Sequence, residues 1–384
     1  MKILVIGTID SRGGAAQVSW ELRKRLKADG HQVSTFVRYK YSDEPDVFAI
    51  PRRRWQDWLV RLFANDLRFA RTSYLFDTPE YREADIIHCH NLHSNFFNLR
   101  DLIRMSREKP VAWTLHDMWA LTGFAYNSAT LRRPNKKRFL LYLWDTTPFL
   151  LRAKARIYAR SKLYIVTVSD WLKKETGNGI LRGQDIRTIH NGIDTATFAP
   201  GNKEAARRAL GLPLDKKIVA FGIKGWMDSQ NVVESYKGRD DVFFVAIGHD
   251  LVRTTNENFK ALPRTEDRAE LAQYLCAADV FLHPTPEDSF GLISAEAMAC
   301  GVPIVAYGID ALPEVVAHKK TGYVARYEDV RDAIAGIDYV LGLSPADYQA
   351  MSMAARARIV ETFSEERMYR QYLDLYRSLI ESRR

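Results

Sequence analysis

Short runs of consecutive apolar residues alternate with longer stretches of helical periodicity along this chain. Lys2–Gly7 is the first run. It leads into a loop, Thr8 to Gly14, that ends in two adjacent glycines, Gly13 and Gly14. Ala15 to Ala28 then has helical periodicity and stops at Gly30. His31–Val37 is a second run. Further strand-like runs follow at Ala84–His88, Pro110–Leu115, Tyr164–Ser169, Lys217–Phe221, Val242–Gly248, Ala278–Leu282 and Ile304–Tyr307. A strand that is apolar without alternation is covered on both faces, as in a parallel sheet flanked by helices. The pattern predicts an α/β chain of Rossmann-like β-loop-α-β units. A long amphipathic helix runs from Phe363 to Arg384.

Length and charge divide this alternation in two. The chain has 384 residues, which points to two domains or more. Asn191-Gly-Ile-Asp194 is a turn signal, and Phe198-Ala-Pro200 follows it. The charge balance reverses there. Residues 1–190 carry 33 Lys+Arg against 19 Asp+Glu, a net +14, whereas residues 191–384 carry 23 against 28, a net −5. The expected domains are 1–191 and 192–362, with a C-terminal helix over 363–384. A basic first half suits an anionic counterpart such as nucleic acid, anionic lipid or a phosphorylated acceptor, and equally a solvated surface.

Other features narrow the class. No run approaches the roughly 20 apolar residues of a membrane span, and Met1–Ile6 is too short for a signal peptide. Cys89, Cys276 and Cys300 lack the spacing of a metal site or disulfide framework, so a cytoplasmic location is expected. The first βαβ unit has no G-x-G-x-x-G, and Arg38 stands where a nicotinamide-dinucleotide site needs an acid. Segments 52–63, 68–71 and 132–144 mix cations with Trp, Phe and Tyr. They fit packed amphipathic helices or a peripheral position on the inner face of the plasma membrane. No nucleic-acid recognition motif accompanies them.

Two histidine-rich strings follow strands. His88-Cys-His-Asn-Leu-His93 lacks a carboxylate at metal-ligand spacing. His90, Asn91 and His93 are better read as lining a polar cleft at strand carboxyl ends, where α/β sheets bind ligands. His116-Asp-Met-Trp119 follows Pro110–Leu115 in the same way.

The densest string is 283–303, HPTPEDSFGLISAEAMACGVP. Prolines open it, an acidic loop follows, and a helix beginning near Leu292 is ended by Gly301 and Pro303. Such a turn aims backbone N–H groups at an anion. Its carboxylates suit a ligand rich in hydroxyl donors. Asp288 and Glu296 stand eight apart, one in the loop and one about a turn inside the helix.

This D-x7-E spacing, with the Ser-Phe-Gly-Leu and Glu-Ala-Met-Ala-Cys-Gly-Val-Pro around it, resembles the E-x7-E motif of family 4 retaining glycosyltransferases. The H-x-H-N-x-H and T-L-H-D-M-W strings resemble a branch of that family acting in colanic-acid and exopolysaccharide synthesis. Tyr126 and Asn127 stand where that branch often has cysteines.

The resemblance implies a GT-B fold: two Rossmann-like domains facing across a cleft, with the last helix crossing back to the first. It implies retaining, metal-independent transfer from a UDP-, GDP- or ADP-sugar to a glycan or lipid-linked acceptor in surface polysaccharide biosynthesis. No D-x-D triplet is present, and the resemblance implies neither a cofactor nor a metal site. By the same resemblance His116 and Asp288 are catalytic. Gly13, Gly14, Ser289, Phe290, Gly291 and Leu292 face the diphosphate, Glu287 joins Asp288 on the sugar, and Glu296 accepts from the ribose. Arg264, with Thr265, borders the base, and His90, Asn91 and His93 meet the acceptor.

The chain departs from the family's pattern at one place. The family usually has Gly-Arg, then Lys-Gly, after the first strand of the second domain, and these cations clamp the diphosphate. Here Ile223 replaces the Arg, and Gln230-Asn231 stand near the Lys-Gly. Lys224 is the nearest substitute and Lys237 a remoter one. The rival readings are a GT-B sugar-nucleotide epimerase and a non-catalytic GT-B scaffold.

Overall fold

The computed structural model describes residues 1–51, 58, 70–123, 147–248 and 254–383. The basic-aromatic segments 52–63, 68–71 and 132–144 lie outside these apart from Trp58, Ala70 and Arg71, as do Tyr126 and Asn127. The chain forms two compact units. Unit 1 is Met1–His190 with Tyr369–Arg384, and unit 2 is Asn191–Met368.

Unit 1 is built on a parallel sheet. Among the described residues its strands are β1 (Lys2–Ile9), β2 (Gln32–Tyr39), β3 (Val47–Ala49), β4 (Ile86–Cys89), β5 (Val111–Leu115), β6 (Tyr164–Thr167) and β7 (Asp185–Thr188). Their order is β3-β2-β1-β4-β5-β6-β7. The central strands are apolar because both faces are covered; six successive β1 residues, Ile3–Thr8, are buried, with Leu4 and Ile6 wholly enclosed. Helix α1 (Gly14–Ala28) follows β1 directly and buries Val18, Leu22 and Leu26.

Unit 2 repeats the plan with β8 (Lys217–Phe221), β9 (Val242–Ile247), β10 (Phe259–Leu262), β11 (Val280–His283), β12 (Ile304–Tyr307) and β13 (Gly322–Ala325), ordered β10-β9-β8-β11-β12-β13. Val219, Phe221, Phe244, Leu282 and Val305 meet in its core. Asp279, just before β11, is buried and ties the unit's edge to its sheet. It accepts from Lys203 (2.8 Å), Arg207 (2.6 Å) and the Ile218 amide (2.7 Å). A buried carboxylate needs such partners.

In both sheets the strand order reverses beside the first strand, between β1 and β4 and between β8 and β11. The loops leaving such a pair diverge and leave room at the carboxyl ends, the usual ligand site of an open α/β sheet. The last helix (Glu365–Glu381) begins in unit 2, and from Tyr369 it belongs to unit 1. There Tyr376 Oη meets His88 Nδ1 at 2.6 Å, and Tyr372 Oη meets Thr114 Oγ1 at 2.9 Å. Among the described residues no helix is long and apolar enough to cross a membrane.

Candidate functional site

In unit 2 the pairing of Leu282 with Phe221 brings two loops together, Gly222–Gly225 after β8 and Pro284–Gly291 after β11. Gly225 has φ +76°, and a Cβ there would overlap the Pro284 carbonyl. Only glycine lets the two backbones approach so closely. Helix α2 (Trp226–Ser235) starts after it, and Gln230 and Asn231 lie inside this helix. Helix α3 (Arg268–Cys276) is capped by Asp267. Helix α4 (Leu292–Ala299) is preceded by Gly291 at φ +90° and carries Glu296 one turn in.

Asp288 organises the second loop. Its Oδ1 accepts from the amides of Phe290 (3.1 Å) and Gly291 (2.7 Å). Its Oδ2 lies 3.4 Å from Lys224 Nζ and 3.7 Å from His283 Nε2. Its amide donates to Asp310 Oδ2 (3.2 Å), and its carbonyl accepts from the Ala311 amide (3.2 Å). Burial alone would raise this carboxyl's pKa. Lys224, His283 and the two amides outweigh burial and hold it below the ordinary value. Two of the four amides expected to face a diphosphate, Phe290 and Gly291, are thus engaged by Asp288 itself.

His283 was quoted in the string but given no role, and it proves central. It is buried, with Nδ1 2.7 Å from Ser294 Oγ, which links the end of β11 to α4. Its Nε2 has no hydrogen-bond partner among the described residues. Burial brings its pKa down to about 4, so it is neutral at pH 7.

Glu296 is also buried. Among the described residues its cation is Arg268, with Nη1 at 3.7 Å, while the guanidinium lies over the Phe198 ring at 4.8 Å. Burial raises the carboxyl to a pKa of about 7, against the pull of Arg268. Arg268 was missed in the sequence. Its signal was position alone, first residue of a helix after an Asp cap. Arg264 lies after β10 and pairs with the exposed Glu266 (2.8 Å). Ile223 is exposed, and its side chain lies against Gly248, on the side where Arg264 also approaches. Lys237 reaches Thr255 Oγ1 at 3.3 Å. Glu287 sits in an ST turn, its carbonyl accepting from Thr285 Oγ1 at 2.7 Å, and Ser289 follows Asp288 in the same loop.

In unit 1 the corresponding place lies beyond β1 and β4. Thr8 Oγ1 donates to the carbonyls of Asn91 (2.8 Å) and His93 (3.3 Å), fixing one loop to the other. Gly13 has φ +89°, and a Cβ there would meet nothing, so dihedral freedom is its role. His90 Nδ1 and His116 Nε2 are 3.0 Å apart. His93 Nε2 meets Asp117 Oδ2 at 3.3 Å. Burial holds His116 at a pKa of about 4 and His90 well below its ordinary value. The His90–His116 bond therefore joins two neutral rings, one donating and one accepting. Buried Lys154 braces the loop after His116 by donating to the carbonyls of Trp119 (2.7 Å) and Thr122 (2.9 Å). Gly13, Gly14, His90, Asn91 and His93 line one cavity of about 190 Å³.

The two sites thus hold, in unit 2, a cation, two carboxylates and a helix start suited to a phosphate and hydroxyls, and, in unit 1, neutral histidines around a cavity. Known proteins carry the same plan. A sucrose-phosphate synthase from Thermosynechococcus elongatus superposes with a TM-score of 0.72 at 19% identity, covering 100% of both chains. HepE of Anabaena, solved with UDP, gives 0.68 at 16% identity over 99% of this chain and 100% of that one. These likenesses show the fold, which is that of GT-B glycosyltransferases. D-inositol 3-phosphate glycosyltransferase of Mycobacterium bovis (strain BCG / Pasteur 1173P2) is 28% identical over 290 residues, 70% of this chain and 59% of the relative. The chain therefore spans under two thirds of the length of the curated relatives it matches. The profile of Glycosyltransferase Family 4 matches residues 12–197, and that of Glycosyl transferases group 1 matches residues 229–342. Together the two matches cover most of the chain.

Proposed function

We propose that this chain is a retaining, metal-independent glycosyltransferase that moves a sugar from a nucleotide-diphosphate sugar to a hydroxyl of a glycan or lipid-linked acceptor. The observation that carries this reading is the pairing of Lys224 with Asp288 where the loops after β8 and β11 meet, with buried Glu296 one turn inside the helix that follows the Asp288 loop. Glu296 as carboxylate accepts from the ribose hydroxyls. Glu287 and Asp288 serve the sugar, Asp288 also by shaping its own loop. Lys224 and the start of α4 offset the charge that grows on the leaving diphosphate. Lys224 so takes the part of the missing Arg, and Ile223 with Arg264 borders the base. In unit 1, Gly13 and Gly14 face the diphosphate, and His90, Asn91 and His93 meet the acceptor.

As the bond from the sugar's C1 to the phosphate oxygen breaks, the acceptor oxygen bonds to C1 on the same face. The acceptor's proton passes to the departing phosphate oxygen. Neutral His116 hydrogen-bonds at the site and takes no proton. The +14 charge of residues 1–190 favours an acceptor held at an anionic membrane surface, as in surface polysaccharide synthesis. HepE's complexes with UDP and UDP-glucose make UDP the first donor class to try.

The test is calorimetric binding of UDP, GDP and ADP to the whole chain and to Glu296→Ala. One nucleotide bound well, and at least tenfold more weakly by the variant, supports the reading. No nucleotide bound by the wild type overturns it and favours the non-catalytic scaffold. Turnover of the bound sugar nucleotide without acceptor, giving its epimer, would favour the epimerase.

A further inference from the structure

Behind the histidine loop of unit 1, the cavity runs inward between α1 and strands β1 and β2, where Thr35 and Arg23 line it. Both residues are buried, at 4% and 3% exposure. Thr35 Oγ1 and Arg23 Nε have no hydrogen-bond partner among the described residues. They belong to one arrangement: the Thr35 amide donates to the Asp46 carbonyl (2.9 Å), and the Asp46 carboxylate takes Arg23 Nη2. Arg23's remaining charge is matched by Glu44 at 3.1 Å. A buried donor left without a partner is costly, so two such groups in one cavity mark a place where something hydrogen-bonds.

The walls decide what kind of ligand. Val5, Val37 and Trp20 make the inner part apolar. Asp10 and the exposed Arg12 also line the cavity, and amides of Ser11, Tyr41 and Ser42 hold the Asp10 carboxyl ionised against its burial. An anion would be held among apolar walls beside a carboxylate, at high cost. Arg23 is already paired with two acids, so it offers a hydrogen bond rather than net charge. A neutral ligand with several hydroxyls meets every condition: oxygen for Arg23 Nε–H, a partner for Thr35 Oγ1, and ring carbons for the apolar wall. The whole cavity, from the histidine loop inward, measures about 190 Å³, which is of the order of one sugar ring.

We propose that this inner cavity is a pocket for a neutral polyhydroxylated ring, with Arg23 Nε and Thr35 Oγ1 as its inner hydrogen-bonding groups. It rests on the glycosyltransferase reading only in naming that ring as the acceptor's sugar.

The experiment uses the whole chain and a panel of D-glucose, D-galactose, D-mannose, L-fucose and myo-inositol, with binding read by saturation-transfer NMR. Two variants accompany it: Thr35→Val, which keeps the shape and removes the hydroxyl, and Ala16→Leu, which fills the cavity from α1. At least one ring is expected to bind, with affinity reduced at least fivefold in Thr35→Val and binding lost in Ala16→Leu. Thr35→Val should also melt no lower than the wild type, because it removes an unpartnered buried hydroxyl. No binding of any ring, or binding indifferent to both variants, overturns the proposal and leaves a hydrated packing void. Nucleotide calorimetry on the same samples separates the outcomes: UDP, GDP or ADP bound without any ring sinks the pocket alone, and a ring bound without nucleotide sinks the donor reading alone.

Discussion

Lys224 Nζ lies 3.4 Å from Asp288 Oδ2, so a lysine from the loop after β8 reaches the carboxylate that shapes the loop after β11. The Lys224 side chain is 62% exposed. As an ion pair in that setting it is worth little to the fold, ~0–1 kcal/mol. Its value is then expected in the reaction. Lys224→Met should lower kcat by roughly 10²–10³, the usual effect of removing one preorganised group at a developing oxyanion. Its melting temperature should stay near the wild type's. Steady-state kinetics with the nucleotide sugar selected by calorimetry checks this. A loss below threefold would mean that the diphosphate is stabilised elsewhere.

That lysine was legible before the fold was known, because it sits three residues past a strand-like run and beside the position where a cation was expected. The central strands were legible for the same reason: each is an unbroken apolar run. The strands absent from the sequence reading, β3, β7, β10 and β13, are the four sheet edges. Asp185–Thr188 alternates exposed with half-buried residues, and Phe259–Leu262 buries only Leu262. An edge strand has one neighbour and a wet side, so its composition carries a weak signal. The partners of the site were hidden differently. Arg268 stands 28 positions before Glu296, and Tyr376 stands 288 after His88. Strand order and helix packing set those contacts, and no local periodicity encodes them.

Three buried histidines, His88, His90 and His283, and half-buried His116 set the acid limit of stability. Burial holds His88 at about 3, His116 and His283 at about 4, and His90 well below the ordinary 6.5. Each binds fewer protons folded than unfolded, so its contribution is complete above pH 6.5 and is lost as pH falls toward 4. The loss per group is up to about 1.4 kcal/mol per pH unit. Three of the four lie in unit 1. Hydrogen exchange at pH 5 should therefore show unit 1 opening more readily than unit 2, with the difference shrinking by pH 7. Equal loss of protection in both units would contradict it. In the same window these rings stay neutral in the folded protein, so they should add no titration to kcat between pH 5 and 8.

Glu296 works in the opposite sense. Burial raises its carboxyl to a pKa of about 7, against 4.5 in the unfolded chain. The folded state therefore holds a proton that the unfolded state has released between those values. The stability this gives is present below pH 4.5 and lost as pH rises through 7. By pH 8 the carboxylate costs the fold about 3 kcal/mol relative to a group that never ionises. Glu296→Gln should thus be more stable than the wild type at pH 8, with the gap closing toward pH 5, as urea unfolding would measure. Binding should run the other way. A carboxylate is a pure acceptor, matched to two ribose hydroxyls, whereas the amide must present one donor. Nucleotide affinity of the wild type should rise about tenfold from pH 6 to pH 8 as Glu296 ionises, and that of Glu296→Gln should be weaker and flat across the range. A gain in stability with no loss of affinity would make Glu296 a buried acid without a ligand. A loss of affinity with no gain in stability would mean that Arg268 already compensates its charge in the empty site.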